Sequence, residues 1–271
     1  MIEDVENTME LNLRDKVAIV SGGNKGLGAA SAEALAEEGA KLLLTARNEN
    51  DLGTVKSELQ KKYDADVGIL PLDITEDGAG EKIVEATLEK FNRIDVIVNA
   101  AGAARGGLFW EIDDQTWRDA FELKFMGAVR LFRAAVPQLR AQKTGRIVNI
   151  IGMFGREPAN RALPASAINA AFMAINKGLS QELGPDGIFV NAVDPGPTHS
   201  ERIMRLFEDM AKANNTTPEN LENDFRARIP IGRLGEVDEV ARIVTFLASE
   251  ASGNVNGTVL AVDGGMTRGL F

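Results

Sequence analysis

The segment Ser21-Gly22-Gly23-Asn24-Lys25-Gly26-Leu27-Gly28 links a short apolar run to an alanine-rich stretch of helical period, and its composition suits it to holding a pyrophosphate. Glycines allow a tight turn and bring bare backbone against the phosphates, which then lie on the free N–H groups and partial positive charge of the following helix N-terminus. The spacing is GxxxGxG, not the GxGxxG of long-chain dinucleotide folds. About 20 residues on, where a dinucleotide site tests the 2′ substituent of the adenosine ribose, NAD sites carry an acid. Here the next apolar run ends Leu44-Thr45-Ala46-Arg47, and Lys25 stands inside the turn. Two cations beside a 2′-phosphate point to NADP(H) rather than NAD(H). The plainer reading makes Lys25 and Arg47 ordinary surface charges.

A second residue is out of place without any reference to function. From Gln115 onward, Trp117, Phe121, Ala128, Leu131 and Ala135 form an apolar stripe at helical spacing, and Lys124 falls in its middle. In the plain reading its stem crosses apolar surface and the ammonium escapes to solvent or a helix interface.

Composition limits what else the chain can do. Among 271 residues there is no Cys, one His and one Tyr, which excludes thiol nucleophiles, disulfides, cysteine zinc sites and multi-histidine metal centres. Only carboxylates remain to hold a metal. Thirty Lys and Arg against forty Asp and Glu leave a net charge of −10, the wrong sign for gripping nucleic acid. The same field repels anionic small molecules, so a phosphate-bearing cofactor needs local cations and backbone N–H groups. No run approaches the roughly 18 to 20 apolar residues that cross a bilayer, and the first residues, MIEDVENTMELNL, are acidic where a signal peptide is basic. The expectation is a globular cytoplasmic protein acting on a small molecule, with neither nucleic acid nor membrane as partner.

The elements that must position these residues follow from periodicity. Strands are expected at Lys16 to Ser21, Lys41 to Ala46, Gly68 to Leu72, Val96 to Ala100, Arg146 to Ile151, Phe189 to Val193 and Val259 to Val262. Most are continuously apolar, as strands covered on both faces are. Helices are expected at Gly26 to Glu38, Glu49 to Tyr63, Ala79 to Phe91, Gln115 to Leu139, Ala167 to Leu183 and Val237 to Leu247. The alternation predicts an α/β fold: a single-domain Rossmann-type, doubly wound, seven-stranded parallel sheet with helices on both faces. An acidic tail covers 1–12 and the domain 13–271. The polar segment 200–228 interrupts the rhythm and reads as a helical insertion, either a lid over the site or a surface excursion.

In these features the chain resembles the short-chain dehydrogenase/reductases (SDRs), with matches from about Leu13 to the end. Beyond the turn they include Asp73 and Ile74 after the third strand, which meet the adenine in the family, and Asn99-Ala100-Ala101-Gly102 after the fourth. Later come Asp194-Pro195-Gly196-Pro197-Thr198, where family members hold the nicotinamide carboxamide, then Pro230-Ile231-Gly232-Arg233 and Val262-Asp263-Gly264-Gly265. The resemblance implies cofactor contacts from Ser21, Gly22, Asn24, Lys25, Gly26, Leu27, Gly28, Arg47, Asp73, Ile74, Asn99, Ala100, Gly102, Pro195, Gly196 and Thr198. It also implies a homodimer or homotetramer.

The resemblance breaks at the chemistry. Family members use Tyr-x-x-x-Lys, a Ser and an Asn, the Lys being needed because tyrosine's reference pKa is about 10. In the gapless match Tyr falls on Ala165, Lys on Asn169, Ser on Gly152 and Asn on Lys124, so all four positions are substituted. The only tyrosine, Tyr63, lies on the adenosine side. If Lys124 enters the site, it and Asn169 have exchanged places relative to the family pair, and a partly desolvated ammonium can give its proton to a nascent alkoxide. Arg156 and Arg161, in the loop after the fifth strand, read as anchors for an acidic substrate or a CoA phosphate, or as solvated loop charges. Asp194 and His199 border the nicotinamide loop, and His199 is either a catalytic acid or incidental. Three functions fit: an NADP(H)-dependent oxidoreductase with a rebuilt proton-transfer apparatus, a catalytically inactive NADP(H)-binding regulator or non-catalytic subunit of a hetero-oligomer, and a non-redox isomerase, dehydratase or lyase.

Overall fold

Strand and crossover helix alternate along the whole of the computed structural model, which describes residues 9–102 and 106–269. Residues 1–8 of the acidic tail and the last two residues of the domain, 270–271, lie outside the described residues. Strands β1 (Val17–Ser21), β2 (Lys41–Ala46), β3 (Val67–Pro71), β4 (Val96–Asn99), β5 (Gly145–Ile150), β6 (Ile188–Pro195) and β7 (Val259–Val262) form one sheet in the order β3-β2-β1-β4-β5-β6-β7. Every pairing is parallel. The strand order reverses between β1 and β4, and the crevice outside their carboxyl ends is where such sheets bind ligands.

Alternate side chains of each strand enter two cores, which explains why the strands are apolar at both parities. Ala18, Val20, Val96, Val98 and Val148 join residues of α1 (Gly26–Glu37), α2 (Glu49–Tyr63) and α9 (Val237–Ala248) on one face. Ile19, Ile97 and Ile147 join α3 (Ala79–Phe91), α5 (Gly127–Gln142) and α6 (Leu163–Leu183) on the other. Helices α7 (Glu201–Asn214) and α8 (Pro218–Arg228), in the polar segment, share a small core of Phe207, Ala211, Leu221, Ile229 and Leu234. Their starts are set by side-chain caps: Ser200 accepts from the Ile203 N–H and Thr217 from the Asn220 N–H. Among the described residues no helix is long and apolar enough to cross a membrane.

Most element boundaries fall within one residue of the sequence expectation, and three elements differ by more, for identifiable reasons. The helix expected from Gln115 to Leu139 is broken into α4 (Asp114–Phe121), a π-helical turn at Glu122–Met126, and α5. The Gly127 N–H reaches five residues back to the Glu122 carbonyl, a widening that apolar periodicity does not register. Helix α6 starts at Leu163 rather than Ala167, with Pro164 in its first turn where a missing N–H costs no bond. Strand β6 runs on to Pro195 because β7 pairs with it through Asp194 and Pro195.

Candidate active site

The β1–α1 turn is held by backbone. Gly22 has φ 71° and its N–H donates to the Thr45 carbonyl of β2 at 2.8 Å. A Cβ on Gly28 would lie 2.1 Å from the Gly22 carbonyl oxygen, so only glycine lets α1 start this close to the turn. Gly26 has φ 55° and open space where a side chain would stand. No side chain caps α1, and its first turn has no acid to neutralise the N–H groups. Lys25 is exposed at this end, and Asn24 donates to Asp51 at 3.2 Å.

Arg47, at the end of β2, reaches 3.9 Å from Asp73 and keeps 72% of its side chain exposed. The Thr75 N–H and hydroxyl both donate to Asp73, at 3.0 and 2.8 Å. The Thr75 backbone bond, then its hydroxyl and the nearby Arg47 charge, hold the Asp73 carboxyl below its ordinary pKa. The Ile74 side chain is buried against Gly127, which leaves only its backbone to the crevice. An open glycine cradle, an uncapped helix N-terminus and two exposed cations suit a dinucleotide with a 2′-phosphate.

A chain of buried polar side chains crosses the sheet beneath the crevice. Ser21 Oγ donates to Asn99 Oδ1 (3.1 Å), Asn99 Nδ2 to Asn149 Oδ1 (3.2 Å), Asn149 Nδ2 to Asn176 Oδ1 (3.4 Å) and Asn176 Nδ2 to the Thr258 carbonyl (3.0 Å). The sequence reading missed Asn149 and Asn176 as partners. The signal available was an asparagine interrupting Ile147-Val148-Asn149-Ile150, since a polar group buried there needs a bond.

The structure brings Lys124 and Asn169 together. From the π turn, the Lys124 stem crosses Gly102, where a Cβ would lie 2.6 Å from Lys124 Cγ. Its ammonium donates to Asn169 Oδ1 at 2.6 Å and to the Ile151 carbonyl at 2.9 Å. Asn169 Nδ2 in turn donates to the Gly152 carbonyl at 3.0 Å. Lys124 is only 9% exposed, so the ammonium does not escape to solvent. Burial, assisted by repulsion from Arg202, lowers its pKa to about 7, and the Asp194 charge opposes the shift. Gly152 and the half-buried Ala165 place no ionisable group beside it.

Arg156 is neither a solvated charge nor a free anchor. Its guanidinium is inside the protein, donating to Asp194 at 3.1 Å and to the Val259 carbonyl at 2.6 Å. The two side chains are 16% and 0% exposed. Burial raises the Asp194 pKa to about 6 against the pull of Arg156, and among the described residues its Oδ1 has no hydrogen-bond partner. Arg161 faces solvent beside Glu111 at 3.8 Å. His199 lies 4.0 Å from Glu222 on α8. The loop Pro195-Gly196-Pro197-Thr198 is pinned, with the Gly196 N–H on the Val262 carbonyl and Thr198 bridged to Gly235. Tyr63, the last residue of α2 and hence on the amino side of the sheet, donates to Glu33 on α1, away from the crevice. Arg202, in the first turn of α7, was not singled out from sequence.

Comparison with known proteins places the fold among reductases. The family model described as enoyl-(acyl carrier protein) reductase matches residues 22–267. The 3-oxoacyl-[acyl-carrier-protein] reductase of Escherichia coli (strain K12) is 31% identical over 256 residues, covering 94% of this chain and 99% of that protein. The structure of L-sorbose reductase from Gluconobacter frateurii, complexed with NADPH and L-sorbose, superposes with a TM-score of 0.92 at 30% identity, covering 97% of this chain and all of that one. Actinorhodin polyketide ketoreductase with NADPH gives 0.90 at 31% identity, over 94% of this chain and 98% of that one.

Proposed function

The chain belongs to the short-chain dehydrogenase/reductase family, and from that premise we propose that it is an NADP(H)-dependent oxidoreductase for a carbonyl or alcohol substrate, with Lys124 in the proton-transfer role. The NADPH of its structural relatives supports the cofactor, as do the open cradle at Gly26, the uncapped α1 and the exposed Lys25 and Arg47. Bound there, NADPH supplies a hydride to the substrate's carbonyl carbon.

The observation that carries the mechanism is the buried Lys124 ammonium, oriented by Asn169 and Ile151. An ammonium has three N–H bonds, and these two acceptors leave one for the substrate oxygen. As the carbonyl oxygen becomes an alkoxide, Lys124 gives it a proton and becomes a neutral amine, which recovers its proton from solvent. In alcohol oxidation the neutral amine takes the hydroxyl proton instead. A pKa of about 7 makes both forms available near neutrality. Asn169 is a positioning residue. The hydrogen and methyl side chains of Gly152 and Ala165 leave the space for substrate. Segment 200–228 serves as the lid, with Arg202 at its start acting on Lys124 through charge.

The test follows label from 4-deuterated NADPH into a panel of ketones, aldehydes and oxo acids. The reading expects deuterium at the carbinol carbon, and a roughly 10²- to 10⁴-fold loss in Lys124→Met with NADPH affinity retained. Unchanged turnover in that variant removes Lys124 from the mechanism. NADPH binding with no transfer to any compound supports the inactive regulator or subunit. Product formed while the nucleotide's redox state stays fixed supports the isomerase, dehydratase or lyase.

A further inference from the structure

Stability alone does not account for the pair Arg156 and Asp194. The Asp194 side chain is fully buried and that of Arg156 largely so, and a buried ion pair adds little to stability beyond what apolar residues of the same volume supply. Its bonds show what it joins. Arg156 Nε donates to Asp194 on β6 at 3.1 Å, and Nη2 donates to the Val259 carbonyl on β7 at 2.6 Å. Asp194 and Ala261 are register partners where these strands pair, so one guanidinium spans both.

The backbone that carries Arg156 is also the backbone that orients Lys124. Just past β5, the Ile151 N–H donates to the Val193 carbonyl of β6 at 3.0 Å, while the Ile151 carbonyl accepts from the Lys124 ammonium at 2.9 Å. At Gly152 the chain leaves the sheet with φ 136°, a conformation that favours glycine. The Gly152 carbonyl accepts from Asn169 Nδ2 at 3.0 Å and from the Gly155 N–H at 3.2 Å, which closes the tight turn Met153–Gly155. Gly155 lies against Asn169, since a Cβ there would be 2.9 Å from Asn169 Cβ. Arg156 caps this turn, its N–H on the Met153 carbonyl at 3.0 Å. At the surface, Glu157 accepts from the N–H groups of Arg268 and Gly269. The carbonyls that bond Lys124 and Asn169 are therefore fixed on one side by the Val193 bond and on the other by the buried Arg156 side chain. A turn this short has few bonds of its own, and without the far anchor it opens more readily.

We propose that Arg156 and Asp194 are positioning residues for the Lys124–Asn169 pair: their bond clamps the turn 152–156 onto β6 and β7 and so fixes the Ile151 and Gly152 carbonyls where Lys124 and Asn169 bond them. The clamp itself rests on these contacts, and only its effect on a rate rests on the oxidoreductase reading.

The experiment uses the double variant Arg156→Met/Asp194→Leu in the whole chain loaded with NADP(H). Removing both charges together costs little stability, whereas removing one leaves the other buried alone. Hydrogen exchange followed by NMR reads the clamp without turnover. The N–H groups of Gly155 and Glu157 and the Asn169 side-chain amide should exchange at least about tenfold faster in the variant, with the β1–α1 turn unchanged. Single-turnover deuteride transfer from labelled NADPH reads the consequence. Its rate at saturating substrate should fall about 10- to 10²-fold, with NADPH affinity and KM within about twofold of wild type. Added to Lys124→Met, the double substitution should cost less than about twofold more, because its effect passes through Lys124. Arg156→Lys keeps a cation for Asp194 without the second arm to Val259, so its exchange and rate should fall between wild type and the double variant. Faster exchange at the turn and at Asn169, in a protein whose wild type transfers no deuteride, keeps the clamp and rejects the oxidoreductase reading. Unchanged exchange overturns the proposal. So does, in an active wild type, a double variant within about twofold of the normal rate or a full further loss in the Lys124→Met background.

Discussion

The two ends of the crevice are built in different ways. At the β1–α1 turn, backbone makes the site: Gly22 and Gly26 adopt positive φ, Gly28 admits no Cβ, and α1 presents an uncapped N-terminus with Lys25 and Arg47 exposed beside it. At the β5–β6 edge, side chains make the site and are already bonded to one another, Lys124 to Asn169 and Arg156 to Asp194. The first end holds its donors in reserve for a ligand. The second end uses its polar groups internally, and burial lowers the pKa of Lys124 and raises that of Asp194. One end can therefore be disabled by adding a methyl group, whereas the other responds to the loss of one charge.

Two variants break the comparison if both ends respond alike. Lys124→Met should lower hydride transfer by roughly 10²- to 10⁴-fold and leave NADPH affinity within about twofold. Gly28→Val should do the reverse, weakening NADPH by about 10²-fold or more, because its Cβ would lie 2.1 Å from the Gly22 oxygen. Fluorescence titration of NADPH and single-turnover rates separate the two. A variant that lost both properties together would make the crevice one cooperative unit.

A stability measurement sharpens the same contrast. The folded pKa of Lys124 is about 7 against an ordinary 10.5, so between those values the unfolded chain binds the extra proton and stability rises with pH. Below about pH 7 both states are protonated and the cost of burying the charge is present in full. Thermal melting should therefore favour Lys124→Met over wild type most at pH 6, with the advantage shrinking steadily towards pH 10. A constant difference across that range would mean that the ammonium is not desolvated. Arg47→Ala, at the other end, removes an exposed charge and leaves melting unchanged. It lowers the preference for NADPH over NADH by about 10- to 10²-fold in kcat/KM.

The backbone-built end was legible in the sequence because its determinants are contiguous. Glycine spacing, the strand before it and the helix after it all lie within Val17–Glu37. The sheet was legible for a similar reason: strands such as Val17–Ser21 and Lys41–Ala46 are contiguous apolar runs buried on both faces. The side-chain end was only half legible. Lys124 stood out from its apolar stripe, and Asn169 entered through the family resemblance, but their bond spans 45 residues and the π turn that aims Lys124 leaves no mark on the periodicity. The partner of Arg156 was hidden for the same reason: Asp194, which captures it, is 38 residues away on β6.

The most direct measurement is the pH dependence of single-turnover deuteride transfer from labelled NADPH to a carbonyl substrate, in wild type and in Lys124→Met. On the proposed mechanism, reduction needs the ammonium form of Lys124, so the wild-type rate should fall as pH rises through about 7, with Arg202 and Asp194 as the charges that tune that midpoint. The residual rate of Lys124→Met should be flat over the same range. A wild-type rate independent of pH between 6 and 9, or a falling limb that survives in Lys124→Met, would contradict the assignment of proton transfer to Lys124.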